Sequence, residues 1–220
     1  MTVTGRSDRS AGPATGGTAP ETATEARVGA LLVGLTFLAA VLFRWRPGPT
    51  PVDHWVFALV PPEPKDSLWI RVTELRTLPV LLGGSLVAAL VVVGRDRWRA
   101  LACLVAPALA VLLAEYVLKP VIARRYSGVL TFPSGHVTAV ASLGTAWTLA
   151  VPRWLRWPMA AVAAAVVVLM TVSVIRLGWH YASDALAGVA VGCGVVLLLD
   201  GFLHVLGAPV GGTASGPSPR

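Results

Sequence analysis

The sequence Thr-Phe-Pro-Ser-Gly-His-Val at residues 131–137 is a polar break between two long apolar segments. Pro133, Ser134 and Gly135 interrupt regular structure, and His136 opens the next apolar run. Ser and Gly are common at a helix N-cap, beyond which the first backbone N–H groups have no partner within the helix. A Gly there lets an anion come close to these N–H groups. The stretch therefore predicts an anion site with His136 at its edge, or else a plain turn between helices with an interfacial His.

The composition around this stretch is typical of a membrane protein. Of the 220 residues, 55% are hydrophobic and 13% are charged, and the mean hydropathy is +0.71. Soluble domains usually carry about 25% charged residues. The length fits one compact domain. We therefore predict an all-α fold, a polytopic membrane helix bundle with about six transmembrane helices.

The net positive charge of the chain can be explained without nucleic-acid binding. A net charge of +7 and a pI of about 10.4 would suggest nucleic-acid binding in a soluble protein. Here the Arg residues cluster at the ends of apolar runs, where lipid head groups and membrane topology favour them. We therefore predict the lipid bilayer as a partner, and no nucleic acid. Cys103 and Cys193 each lie inside an apolar run and are expected to be small core residues.

Six apolar runs are the predicted spans. They cover residues 28–43, 78–94, 100–118, 136–151, 159–175 and 185–206. Residues 1–26, rich in Gly, Thr, Ala, Ser and Pro, predict a disordered cytoplasmic tail. The membrane domain is then 27–206, and 207–220 forms a second disordered tail. Residues 53–60 are too short to cross the bilayer and could lie at its surface.

Six spans place both ends of the chain on one side of the membrane, and the loops at 131–137 and 176–184 on the other. Lys and Arg divide nine and nine between the two sides, so their totals do not fix the orientation. Short turns weigh most in the positive-inside rule, and those at 95–99 and 153–156 hold five Arg residues. We therefore expect a multi-pass protein of the cell membrane with its polar loops on the extracytoplasmic side.

The polar loops on that side combine cations with a His–Asp pair. The cations are Lys119, Arg124, Arg125 and Arg176. His180 and Asp184 are four residues apart, so they share one face if a helix begins there. A carboxylate bonded to one imidazole nitrogen makes the other nitrogen a better base or nucleophile. Because cations stabilise phosphoryl transfer electrostatically, the combination favours phosphate chemistry.

Two further residues complete this set. His136 could protonate the leaving oxygen of a phosphate ester. Glu115 lies near the end of an apolar span, four residues before Lys119. An ionisable residue in a span is a functional candidate, but a helix-end ion pair with Lys119 explains it equally well.

These residues resemble the three signatures of the type-2 phosphatidic acid phosphatase (PAP2) superfamily, over about residues 50–205. Lys119 with the Arg residues after it is similar to the first signature, and residues 133–136 match the second. Residues 180–184 match the His-x-x-x-Asp half of the third, and Arg176 precedes them. The resemblance implies a six-helix membrane phosphatase that needs no metal or other cofactor. It also implies a site at the extracytoplasmic face and a phosphohistidine intermediate.

The resemblance also implies roles for individual residues. His180 would be the nucleophile and Asp184 would orient it. His136 would be the general acid that protonates the leaving group and later activates water. The groups implied to hold the phosphate oxygens are the side chains of Lys119 and Ser134, the N–H of Gly135, and cations among Arg124, Arg125 and Arg176.

The first signature departs from the family pattern, which has Lys, six residues and then Arg-Pro. Seven positions after Lys119 lies Tyr126, and no Pro follows it. Arg124 or Arg125 would therefore have to supply this charge, and the sequence does not decide between them.

The third signature departs in a similar way. The family has an Arg six residues before the His, where this chain has Val174, and the nearest Arg is Arg176. On a regular helix, residues 174 and 176 point about 200° apart. We therefore expect Arg176 to reach the phosphate only if the backbone there is extended or bent.

The predicted reaction is hydrolysis of a phosphomonoester or diphosphate on a lipid, namely phosphatidate, phosphatidylglycerophosphate or a polyprenyl diphosphate. Two alternatives stay open. One is a catalytically degenerate PAP2-like module that binds or transports lipid, and the other is a lipid phosphotransferase. A soluble haloperoxidase shares the pocket chemistry by resemblance, but six apolar spans argue against it. The oligomeric state is left open.

Overall fold

The computed structural model describes residues 19–63 and 67–207 and shows a bundle of helices. The helices are α1 (Ala19–Trp45), α2 (Pro51–Leu59), α3 (Ser67–Thr73), α4 (Leu78–Val92), α5 (Arg97–Leu112), α6 (Lys119–Ile122), α7 (Gly135–Ala150), α8 (Arg156–Arg176) and α9 (Ala182–Gly207). Each of the six predicted spans coincides with one of them, so the all-α membrane bundle is confirmed. The remaining parts of the two predicted tails, 1–18 and 208–220, lie outside the described residues.

The number of helices that can cross a bilayer is four or five by length and composition. Four pass individually: Glu21–Trp45, Arg97–Ile122, Arg153–Arg176 and Ala182–Gly207. A fifth results if Leu68–Arg76 and Leu78–Val92, which meet at a bend of 50°, form one span. Helix α7 has 16 residues and is about 24 Å long, shorter than the roughly 30 Å hydrocarbon core. The predicted count of six is therefore approximate.

Helix α1 begins earlier than the sequence predicts. The predicted tail extends to residue 26, but the helix starts at Ala19. Glu21 lies 2.6 Å from Arg156, and Glu25 lies 3.0 Å from Arg99. Because acidic side chains near a helix N-terminus also suit the helix dipole, these partners extend the helix beyond the apolar run.

Helix α9 lies at the centre of the bundle, against α1, α5 and α7. Two of its glycines face α7 at very short range. A Cβ added to Gly188 would lie 2.7 Å from the carbonyl oxygen of Ser134, and one added to Gly192 would lie 2.7 Å from that of Thr138. Small residues allow the backbones of membrane helices to approach in this way. This contact places the first turn of α7 beside the start of α9.

One end of the bundle, where α1 begins and α9 ends, holds a buried cluster of ion pairs. Arg99 of α5 donates to both carboxylate oxygens of Asp200 in α9, at 3.2 and 2.9 Å, and to Glu25 of α1 at 3.0 Å. Nearby, His204 Nε2 lies 2.8 Å from Asp96 Oδ2. A buried charge is costly without a partner. Separating α1, α5 and α9 would leave these charges unpaired, so the cluster holds the three helices together at this end.

At the opposite end, the chain between α5 and α7 is irregular. Helix α5 continues into a π-helical turn over Leu113–Leu118, in which the N–H of Lys119 bonds the carbonyl of Ala114. Pro120 follows and cannot donate an N–H. Such turns are frequent at functional sites. A short hairpin comes next, with strands β1 (Arg125–Tyr126) and β2 (Val129–Leu130) paired antiparallel.

Candidate active site

The two histidines singled out by the sequence lie at this irregular end of the bundle. His136 is in the first turn of α7, and His180 lies two residues before α9. Their ring centroids are 6.2 Å apart, with the ring planes at 67°. The Trp179 ring lies 5.4 Å from that of His136. One tetrahedral anion between the two imidazoles could contact both.

Asp184 faces His180 from the first turn of α9 and is fully buried. Its Oδ2 lies 3.7 Å from His180 Nδ1, which is longer than a hydrogen bond. The same oxygen accepts the N–H of Tyr181 at 3.0 Å, and Oδ1 accepts a hydrogen bond from Arg124 at 2.6 Å. Within the described residues, His180 Nδ1 is buried and has no hydrogen-bond partner. A small rotation of the imidazole would bring it into hydrogen-bonding range of the carboxylate.

Arg124 is fully buried and serves as a structural link. Its guanidinium lies over the rings of Phe43 and Tyr181, at 4.0 and 4.5 Å. Its hydrogen bonds go to the carbonyl oxygens of Pro47 and Gly48, the Ser183 hydroxyl, and the carboxylates of Asp53 and Asp184. An Arg side chain has five N–H donors, and all five are engaged here. This placement does not fit the phosphate-binding role predicted for Arg124.

Asp53 is the second buried carboxylate beside Arg124, at 3.1 Å, and the sequence analysis did not single it out. Burial tends to raise the pKa of its carboxyl, but hydrogen bonds from Thr50 and Ser183 outweigh this effect and hold the pKa below its usual value. The Thr50-x-x-Asp53 pattern forms a capping box at the start of α2. That pattern indicates a helix start, but it gives no sign of the distant Arg partner.

The other two predicted arginines also have partners of their own. Arg125 is exposed and donates to the carbonyl oxygen of Gly128 at 2.8 Å, within the hairpin. Arg176 donates to the carbonyl oxygen of Pro61 at 2.9 Å and forms an ion pair with Glu63. Helix α8 is regular up to Arg176, which is the condition under which the sequence predicts that this side chain faces away from the phosphate.

Two cations, Lys119 and Arg76, do lie near His136, close enough to act on it electrostatically. Both contact the carboxylate of Glu115, at 2.8 Å from Lys119 Nζ and 3.1 Å from the Arg76 guanidinium. The predicted ion pair between Glu115 and Lys119 is therefore present, with Arg76 as a third member. Arg76 comes from a 3₁₀ turn over Glu74–Arg76, and the sequence analysis assigned it no role.

The start of α7 lies beside this charged group. Ser134 is the N-cap, and its N–H donates to the carbonyl oxygen of Asp184 at 2.9 Å, which joins α7 to α9. The Ser134 hydroxyl is buried and makes no hydrogen bond within the part of the chain that the structure describes. A Cβ added to Gly135 would lie 1.8 Å from Glu115 Oε1. Only Gly permits the carboxylate to approach the backbone this closely.

An open pocket of about 410 Å³ reaches His136 from the side of α3 and α4. Its lining combines apolar and polar side chains: Ile70, Thr73, Glu74, Arg76, Thr77, Leu78, Leu81, Val111 and His136. A pocket with apolar walls and a few polar groups suits a ligand that has both characters. In residues 19–63 and 67–207 no group of three or more His, Cys, Asp or Glu side chains could hold a metal ion.

Part of the chain matches the model of a known protein family. Residues 113–198 match the model of the PAP2 superfamily, and this interval contains Lys119, His136, His180 and Asp184. The resemblance predicted from the motifs is therefore confirmed.

The fold is similar to the crystal structure of the first transmembrane PAP2 type phosphatidylglycerolphosphate phosphatase from Bacillus subtilis, with a TM-score of 0.61 and 21% sequence identity. The match covers 81% of this chain and 96% of that one. This likeness shows a shared fold. No curated protein sequence matches the chain.

Proposed function

We propose that this chain, with its PAP2 match over residues 113–198, is a membrane phosphatase that removes phosphate from a lipid. One observation carries the proposal: His136 and His180 come from different helices, yet their rings lie 6.2 Å apart at one site. Lys119 and the N-terminus of α7 lie beside them, and both favour an anion.

The proposed reaction uses His180 as nucleophile. Its Nδ1 faces Asp184, which leaves Nε2 to attack the phosphorus atom. As the N–P bond forms, the bond from phosphorus to the leaving oxygen breaks, and His136 gives that oxygen its proton. His136 then takes a proton from water, whose oxygen attacks the phosphohistidine. The N–P bond to His180 breaks, inorganic phosphate leaves, and both histidines return to their first state.

Positive charge for the phosphate oxygens comes from Lys119, Arg76 and the N–H of Gly135 in this proposal. Arg76 takes the place of the family arginines, whose positions are occupied here by Tyr126 and Val174. Such fixed charges stabilise the transition state of phosphoryl transfer. The reaction therefore needs no metal, and we expect EDTA to leave activity unchanged.

The proposed substrate is a lipid with a phosphomonoester or diphosphate: phosphatidate, phosphatidylglycerophosphate or a polyprenyl diphosphate. The pocket beside His136 has apolar side chains from α3, α4 and α5, which can accommodate the start of an acyl or prenyl chain. The similar fold of the Bacillus subtilis protein makes phosphatidylglycerophosphate the first lipid to test. We place the site on the extracytoplasmic side, as the Arg-rich short turns predict.

Release of inorganic phosphate by the detergent-solubilised protein tests the proposal. We expect His180→Ala to lower this release about a thousandfold or more, because the nucleophile is lost. His54→Ala is the matched control, since His54 is an exposed His on α2. Full turnover by His180→Ala would refute the assignment of the nucleophile, and strict dependence on a metal would contradict the mechanism.

A second candidate is a lipid-phosphate binding protein without catalytic activity. Tyr126 and Val174 stand where the family has arginines, and the side chains of Arg124 and Arg176 are engaged elsewhere. Binding of a lipid phosphate without release of inorganic phosphate from any of the three lipids would favour this candidate.

A further inference from the structure

The carboxylate of Glu115 contacts the two cations that the proposed function assigns to the phosphate. It is 2.8 Å from Lys119 and 3.1 Å from Arg76, the two cations that act on His136. The side chains of Glu115 and Lys119 are 20% and 13% exposed, so water screens this pair only in part. Both cations are therefore already paired with a carboxylate of the protein itself.

The N-terminus of α7 favours the same carboxylate. Glu115 Oε1 would be 1.8 Å from a Cβ on Gly135, which places it against the first turn of this 16-residue helix. A helix N-terminus carries a partial positive charge. Lys119, Arg76 and the first turn of α7, which are proposed to hold phosphate oxygens, thus all lie beside Glu115.

One other polar atom of the site has no partner in Glu115. Ser134 Oγ is buried and has no hydrogen-bond partner among the described residues. A carboxylate has two oxygens, whereas a terminal phosphate has three and carries up to two negative charges. A phosphate can therefore match more of the site than the carboxylate does.

We propose that Glu115 is an internal competitor for the phosphate position and that it selects terminal phosphates over phosphodiesters. This inference rests on the proposed function. A phosphodiester head group carries one negative charge, like Glu115, and gains little by displacing it. A phosphomonoester or terminal diphosphate carries up to two, and it displaces the carboxylate from Lys119 and Arg76. Glu115 would thus keep the abundant phosphodiester lipids of the bilayer out of the site.

The test compares Glu115→Gln with the wild-type protein in detergent. The amide keeps the size of the side chain and can still accept hydrogen bonds from Lys119 and Arg76, but it removes the charge. We expect inorganic phosphate, measured by calorimetry, to bind about tenfold more tightly. We also expect a short-chain phosphatidylglycerol, a phosphodiester, to inhibit Glu115→Gln at concentrations that leave the wild type unaffected.

Kinetics separate competition from a structural role. For a lipid phosphomonoester, Glu115→Gln should lower KM several-fold while kcat changes less, because the competitor acts on binding. Glu21→Gln is the matched control, since Glu21 is also half-buried and paired with two cations, Arg153 and Arg156, but lies at the opposite end of the bundle. We expect it to match the wild type in all three measurements. Glu115→Ala serves as a second variant, and it should shift phosphate affinity in the same direction.

Two results would overturn the inference. One is phosphate affinity in Glu115→Gln and Glu115→Ala that equals or falls below that of the wild type, which would mean that Glu115 only positions Lys119 and Arg76. The other is unchanged inhibition by phosphatidylglycerol. Failure of the proposed function looks different: no lipid releases phosphate, while Glu115→Gln still binds inorganic phosphate more tightly than the wild type does.

Discussion

Among single residues, Arg76 is the one whose position in the candidate site is least predictable from its position in the sequence. It ends a mixed, charged stretch before the second apolar run, and no motif includes it. Its 3₁₀ turn joins α4 at a bend of 50°, and this bend brings the guanidinium to Glu115 and near His136. The proposed phosphatase therefore depends on a cation outside the PAP2 signatures.

We expect Arg76→Gln to raise KM for a lipid phosphate about 10- to 100-fold. The reason is the loss of one charge-assisted hydrogen bond, which contributes about 1.5–3 kcal/mol. Steady-state phosphate release in detergent measures the change. Arg71→Gln removes the same charge from an exposed position on α3 and should remain within about twofold of the wild type. Equal KM values for the two variants would show that Arg76 does not contact the phosphate.

The site residues fall into two groups according to what the sequence can predict. His136 lies within one short contiguous motif, and His180 and Asp184 are separated by a fixed helical spacing, so local pattern is enough to propose them. Arg124 is different, because its environment depends on Asp53, which is 71 positions away. Local pattern cannot distinguish an Arg that faces a pocket from one enclosed by two carboxylates.

Among the structural elements, the contact between α7 and α9 determines how far apart the two histidines lie. Gly188 lies at this contact, against the backbone of Ser134, which is two residues before His136. A backbone atom cannot move aside as a flexible side chain can. The helix–helix distance is therefore sensitive to a single methyl group.

We expect Gly188→Ala to lower both the melting temperature in detergent and the rate of phosphate release. Its Cβ would lie 2.7 Å from the Ser134 carbonyl oxygen, and overpacking of this kind costs about 1–3 kcal/mol. Gly83→Ala is the matched control, because a Cβ at this position of α4 meets nothing within 4 Å. It should leave activity unchanged, and thermal unfolding compares the two variants directly. Identical behaviour of the two variants would contradict the role given to the contact.

Hydropathy predicts the positions of the long helices, because each apolar run has to be helical to satisfy its backbone in lipid. It does not predict how α1 extends back to Ala19, since that depends on ion pairs with Arg99 and Arg156. Nor does it predict the π-helical turn over Leu113–Leu118, which sets the direction of Lys119. Both features arise from contacts between elements rather than from their composition.

For the whole molecule, the main question is which side of the membrane the site faces. Arg residues in two short turns predict this side, but in the structure they are not all free surface charges. Arg99 is buried against Asp200, and Arg156 is paired with Glu21. Three of the five remain exposed: Arg95 in the turn before α5, Arg97 at the first position of α5, and Arg153 before α8, although Arg153 also contacts Glu21. These three support the proposed extracytoplasmic site.

Cysteine labelling in intact cells measures the orientation directly. We expect Ser127→Cys, in the exposed hairpin turn beside the site, to react with a maleimide that cannot cross membranes. Gly94→Cys, an exposed position at the opposite end where a Cβ meets nothing within 4 Å, should react only after the cells are permeabilised. The parent chain, with Cys103 buried and Cys193 half-buried, gives the background. The reverse labelling pattern would place the site in the cytoplasm.

The order in which the helices are synthesised determines when the buried ion pairs far from the site can form. Ribosomes deliver α1 first, α5 later and α9 last, so Glu25 and Arg99 reach the membrane before Asp200 does. Arg99 can pair with Glu25 before α9 is inserted, and it binds both oxygens of Asp200 afterwards. Insertion of α9 therefore supplies the carboxylate that neutralises Arg99 fully. A nascent chain that stops before α9 does not have this carboxylate.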